Sequence, residues 1–278
     1  MQRRNSLQLA FAVSALLFVG HVAMADSFEM ASQVLGLKTA KLSNLPEATP
    51  QSPNNIGGWA CALEAKDIKT SAGKAVAARN WQVISETEQA GFTFVSFAAK
   101  AEAGTSGSCL FSEGNVGIFR EANLLGLVYA TDSEKLRLGH IVTTDSNTLR
   151  ILSGDYISMP IADVQIIGGN LLLVKNVAAR MSFCEGTSSV PNTYGLPIHI
   201  ARRIFLAEGW RPAPPDLEKS QSWVADMRKT LPEVEDCSGT GFGFCKFNYH
   251  RDDGQNLSVT TAGEGSPTII GFSARCAP

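Results

Sequence analysis

The side chains with chemical reach in this chain of 278 residues are few: six cysteines, four histidines, a glycine-rich run near the C-terminus and scattered carboxylates. Cys61, Cys109, Cys184, Cys237, Cys245 and Cys276 form an even set with no Cys-x-x-Cys pair and no histidine at ligand spacing. A structural zinc site needs closely spaced thiolate and imidazole donors, so no metal is expected. An even number of cysteines in an exported chain reads instead as disulfides. Proximity in sequence makes Cys237–Cys245 attractive, then Cys61–Cys109, with Cys184–Cys276 left over, but many other connectivities remain open.

The run Glu235-Asp236-Cys237-Ser238-Gly239-Thr240-Gly241-Phe242-Gly243-Phe244-Cys245 places Gly239, Gly241 and Gly243 between two cysteines. Such a loop reaches backbone conformations closed to other residues. It suits a disulfide-closed turn, or a cradle whose backbone N–H groups meet a ligand. It is not a Walker loop, because no Gly-Lys-Ser/Thr follows, and not a dinucleotide fingerprint, because a strand comes next. A second weak binding candidate is the polar face of a helix expected over residues 198–208. There His199, Arg202 and Arg203 offer donors to a carboxylate or phosphate.

Catalytic constellations are thin. Only His140, His199 and His250 lie beyond the leader, and no Gly-x-Ser-x-Gly elbow or His-Glu-x-x-His occurs. Cysteines that can all pair make poor nucleophiles. Paired carboxylates have no short motif and stay open. Glu233, Glu235 and Asp236 cluster before Cys237, in a place where solvated turn residues are the expected occupants. Trp59, Trp81, Trp210 and Trp223 each stand among apolar residues and read as core. No catalytic residue is singled out, and no cofactor is implied.

The elements that must position these groups are mainly strands. Residues 57–184 carry short β-branched and aromatic runs, such as Phe92–Phe97, Leu124–Tyr129 and Leu171–Val177, punctuated by Gly, Asn and Asp. That rhythm predicts an antiparallel β sandwich or barrel. Residues 185–278 predict a smaller α+β domain. Ile198, Ala201, Ile204 and Phe205 keep helical spacing, and Gly209 stands at the C-terminal cap. A second helical stripe runs through Leu217, Val224, Met227 and Leu231. The Asp253-Gly254 dipeptide marks a hairpin. Residues 26–56 read as an irregular lead-in with one short helix around Ala31–Leu37.

Residues 1–25 have the parts of a secretory signal: Arg3 and Arg4, an apolar run from Leu9 to Val22, and Ala23-Met24-Ala25 before Asp26. The run is too short for a bilayer span, which takes about 20 residues, and no second apolar stretch follows. Removing the two leader arginines from 24 basic residues leaves 22 against 26 acidic ones, a net of −4. That balance argues against nucleic acid, whose affinity needs phosphate-neutralising cations.

The C-terminal third carries Tyr194-Gly195-Leu196-Pro197, Ala201-Arg202, Leu206, Gly209-Trp210-x-Pro212, Pro232-Glu233-Val234 and the cysteine-flanked glycine run. This order resembles a small domain in uncharacterised exported proteins of Gram-negative bacteria. The resemblance implies a bacterial, exported origin and no particular activity. The expectation is thus a soluble periplasmic or secreted protein that binds another protein or an envelope component without catalysis, and has no membrane span after signal cleavage. The alternatives are a periplasmic hydrolase with carboxylates in an interdomain cleft, and a structural envelope component or an inhibitor or immunity-type protein.

Overall fold

A computed structural model describes residues 28–50, 60–144, 148–216, 224–239 and 241–276. The leader, residues 1–25, lies outside the described residues. The chain is mainly β, with 46% of residues in strands and 12% in helices, as the alternating patterns predict.

Two five-stranded sheets make the first part. One is built from β1 (Glu29–Ser32), β9 (Leu138–Thr143), β10 (Leu149–Ser153), β11 (Pro160–Ile167) and β12 (Leu171–Lys175), in the order β1-β12-β11-β10-β9. The other is built from β2 (Leu37–Lys41), β3 (Gln82–Gln89), β4 (Phe92–Ala98), β7 (Asn115–Arg120) and β8 (Asn123–Ala130), in the order β2-β8-β7-β4-β3. β5 (Lys100–Ala103) and β6 (Cys109–Ser112) form a separate hairpin.

Phe92, Phe94, Val116, Ile118 and Val128 of the second sheet meet Leu138, Ile141, Ile151, Val164 and Leu172 of the first in one apolar layer. Successive side chains of a strand point to opposite faces. The other side of β4 therefore sends Val95 and Phe97 into a second layer with Leu45, Ile68, Ala72 and Val76. The helix α1 (Ser71–Ala77) contributes Ala72 and Val76 to that layer. Every residue of β4 is buried as a result. The sandwich closes at both seams through side chains. The Ser85 hydroxyl donates to the Ile141 carbonyl at 3.1 Å and accepts from the Ile141 N–H at 2.9 Å, and the Ser96 hydroxyl donates to the Gly139 carbonyl. At the other seam the Thr39 hydroxyl donates to the Met30 carbonyl at 3.3 Å.

The lead-in is not irregular, and no helix forms around Ala31–Leu37. β1 pairs with β12 in parallel, Glu29 opposite Leu171, so the sandwich is not wholly antiparallel. β2 pairs antiparallel with β8. Leu45 and Ala48, farther along the lead-in, are buried. A four-residue strand gives too short an alternation to outweigh the helical reading of Val34, Leu35 and Leu37, and the turn at Gly36 splits that stretch.

The second part has its own core of Met181, Phe183, Val190, Ile198, Phe205, Trp210, Phe247, Tyr249, Val259 and Ile269. It begins before the expected boundary at residue 184, because β13 (Arg180–Phe183) pairs with β14 (Ser188–Pro191) and turns Met181 and Phe183 into this core. α2 (Ile198–Ala207) ends at Gly209, whose φ of +83° supplies the left-handed cap. Of the second helical stripe only α3 (Ala225–Arg228) is helical among the described residues, and residues 217–223 lie outside them. The sheet comprises β15 (Arg211–Pro212), β16 (Val234–Cys237), β17 (Cys245–His250), β18 (Asn256–Ala262) and β19 (Thr268–Arg275), with β15 and β16 both pairing one side of β17.

Three disulfides staple the chain: Cys61–Cys109, Cys184–Cys276 and Cys237–Cys245. The two parts meet around a buried ion pair. Arg150 of β10 donates to Asp163 of β11 through Nε at 2.7 Å and Nη2 at 3.2 Å. Arg150 Nη1 lies 3.4 Å from Met181 Sδ of the second core, and the Ala178 N–H donates to Asp163 at 3.0 Å. Because both charges are paired in this way, their burial is tolerable.

Candidate functional site

The glycine run closes a hairpin loop. Cys237 and Cys245 stand opposite each other on β16 and β17, and their disulfide clamps the base. Above it, the Ser238 N–H donates to the Phe244 carbonyl at 2.7 Å and the Phe244 N–H to the Ser238 hydroxyl at 3.0 Å. Thr240 lies outside the described residues. Gly241 is favoured by its φ of +70°, and a Cβ there would come within 2.2 Å of the Ser106 hydroxyl in the first part, a side-chain tip that can turn aside.

This loop faces the turn between β18 and β19. The Gly263 N–H donates to the Phe242 carbonyl at 2.8 Å, tying the two turns together. Between them lies a groove of about 550 Å³. Gly239, Gly241 and Gly243 line one side, Gly263 and Gly265 the other, with the Cys237–Cys245 disulfide, Met227 and Pro267 as apolar lining. Glu264 is the one ionisable side chain along it among the described residues. The groove presents main chain and apolar surface, the means by which an extended partner segment is held.

The helix face does not act as a unit. His199 turns toward this region, its Nδ1 3.4 Å from the Ser266 hydroxyl beside the groove's second turn. Arg203 is exposed. Arg202 turns inward, and its Nε donates to Glu233 at 2.8 Å. Glu233 is fully buried, and the same oxygen accepts from the Tyr249 hydroxyl at 2.9 Å. Burial, reinforced by the Glu233 charge, pushes the Tyr249 phenol far above its ordinary value. Glu233 is therefore not a solvated turn residue. Its place directly before Val234 at the start of β16, with Leu231 and Pro232 ahead of it, was the available signal. Glu235 bonds Asn248 Nδ2 at 3.1 Å, on the outer side of the sheet. The expected cluster of acids is thus split between core and surface.

Trp81 and Trp210 are packing residues, as expected. Trp81 Nε1 donates to the Pro46 carbonyl at 2.8 Å, and Trp210 is buried beneath the Arg251 guanidinium, 4.2 Å from its ring. Trp59 and Trp223 lie outside the described residues.

Two further hollows bear on chemistry. A cleft of about 290 Å³ lies where the two parts meet, lined by the Cys61–Cys109 disulfide, Ser106, His140, Tyr156 and Phe244 among others, with no carboxylate among the described residues that line it. A hollow of about 460 Å³ at the β3–β4 turn has Glu88 and Glu121 in its lining, with Thr70 and Ser71. No group of three or more acidic, histidine or cysteine side chains suited to a metal occurs among the described residues.

No family model, curated protein or solved structure matches this chain. The architecture itself defines the class: a mainly β, disulfide-bonded chain of two packed parts. No helix among the described residues is long and apolar enough to cross a membrane.

Proposed function

We propose that the chain is exported to an oxidising compartment, most simply a bacterial periplasm, and acts there by binding a protein or an envelope component without catalysis. The observation that carries this reading is the glycine-lined groove. It encloses about 550 Å³ beside the Cys237–Cys245 disulfide, and its lining is main chain and apolar surface with little titratable chemistry. Three disulfides are compatible with a compartment where thiols oxidise. The leader-like residues 1–25 and the likeness of the C-terminal third to exported Gram-negative proteins point the same way.

The test places a photo-crosslinking side chain at Ser238 or Glu264 on the groove, and at Lys38 on the first part as a control. Adducts from the groove positions alone, in protein recovered from its own envelope fraction, support the reading. Turnover of an envelope substrate by the purified chain, or adducts from Lys38 only, overturns it. The competing hydrolase reading draws on Glu88 and Glu121, which share one hollow. Any turnover abolished by Glu88→Gln or Glu121→Gln would establish it.

A further inference from the structure

The cleft between the two parts has features the groove lacks. Its aromatic wall comes from both sides: Phe111 and Tyr156 from the first part, Phe244 from the hairpin loop of the second. Phe111 is fully buried and meets the His140 ring edge to face, with centroids 5.4 Å apart. The imidazole of His140 has no hydrogen bond or ion pair among the described residues, and neither has the Ser106 hydroxyl. Burial holds His140 below its ordinary value of 6.5, so at neutral pH it carries one N–H donor and one lone-pair acceptor. The Cys61–Cys109 disulfide forms part of one wall, and Gly241 of the hairpin loop comes close to Ser106.

We infer that this cleft binds a neutral pyranose ring, its C–H face against Tyr156 and Phe244 and its hydroxyls on His140 and Ser106. The chemistry selects this class in three steps. Among the described residues no charged side chain lines the cleft, so an ionic ligand would lose its hydration without a partner. A wholly apolar ligand would leave the imidazole and the Ser106 hydroxyl unpaired. Adjacent hydroxyls on a ring with apolar faces meet both demands, and about 290 Å³ admits a single ring. Domain junctions are a favoured place for such pockets. The assignment is independent of what occupies the groove on the other side of the hairpin loop.

The test is a titration of the isotope-labelled, disulfide-intact protein with methyl glycosides of glucose, galactose and mannose and with N-acetylglucosamine, followed by proton–nitrogen correlation spectra. Saturable shifts at Ser106, His140, Tyr156 and Phe244 are expected with at least one sugar. His140→Phe should weaken that binding about tenfold, the cost of an unmet polar group, and Tyr156→Ala, at the exposed rim, severalfold. Both variants are checked for native disulfides and an unchanged spectrum elsewhere. The β-1,4-linked dimer of N-acetylglucosamine separates two sources: tighter binding than the monomer assigns the end of a glycan, and equal binding assigns a free monosaccharide. The absence of saturable shifts with every sugar, whether or not indole saturates, overturns the inference. So does sugar binding that neither variant weakens.

Discussion

The two parts of this molecule hold together by different means. The first buries one sheet on both faces, so that β4 contributes Phe94 to one apolar layer and Phe97 to another. Its stability comes from area removed from water, worth about 25 cal/mol per Å². The second wraps a smaller apolar core around a buried carboxylate and closes it with two disulfides. Apolar burial needs only the right periodicity along each strand. A polar core needs particular partners, and those arrive from distant positions: Arg202 on a helix, Glu233 before a strand, Tyr249 on the next one. The second part is therefore the one whose integrity hangs on a few bonds.

This contrast can be broken by mutation. The largest loss should come from the Cys184→Ser, Cys276→Ser double variant, whose bridge spans 92 residues. Chain-entropy arguments put it at about 4–5 kcal/mol, against about 2–3 kcal/mol for the short Cys237–Cys245 loop. Guanidinium unfolding of both variants gives the ranking, and equal losses would show that loop length does not govern it. In the first part, Phe94→Ala should cost about 3–5 kcal/mol, because a fully buried ring leaves a cavity. A loss below 1 kcal/mol on the same measurement would mean that the layer collapses around the gap.

Smaller effects sharpen the comparison. Glu233→Gln should cost about 1–3 kcal/mol by weakening the bonds from Arg202 and Tyr249, while Glu235→Gln, half-buried beside Asn248, should cost less. The smallest effect is in pH. His140 titrates lower in the folded chain than its ordinary 6.5, so its contribution is full above 6.5 and is lost as pH falls through its folded value. Tyr194 and Tyr249 titrate higher than their ordinary 10.0, so theirs is full below 10.0 and is lost as pH rises beyond it. Acid should therefore loosen the junction first, and alkali the second part. Hydrogen exchange at pH 5 and pH 11 reads the order directly.

What the sequence disclosed follows the same division. Strands with several alternating apolar residues were legible, and so was α2, where Ile198, Ala201 and Phe205 share one face and Gly209 caps the end. The helix α1 was not: Ser-Ala-Gly-Lys-Ala-Val-Ala is one short run of small residues, and its cap, Thr70, whose hydroxyl accepts from the Gly73 N–H at 2.9 Å, is itself held by the distant Glu86. β13 was hidden for a related reason, since its pairing with β14 assigns it to the second core, and pairing is not written in four residues. Of the candidate site, the glycine loop between Cys237 and Cys245 could be read as a loop. Its opposite wall at Gly263–Gly265 could not, because nothing local says that the two turns face each other. The basic face of α2 was overcounted. Arg202 looked solvent-bound from its spacing, and only the folded chain brings Glu233 beneath it.

The first strand raises a matter of timing. β1 lies beside β12 in parallel, so Glu29 waits for Leu171 before its ladder can form. Contacts so far apart in the chain are slow to form, because closing the intervening loop costs entropy before any bond repays it. Until that moment the flank of β12 is an open template of unpaired amides and carbonyls. A folding chain should thus keep one margin of the sandwich sticky until β1 is seated.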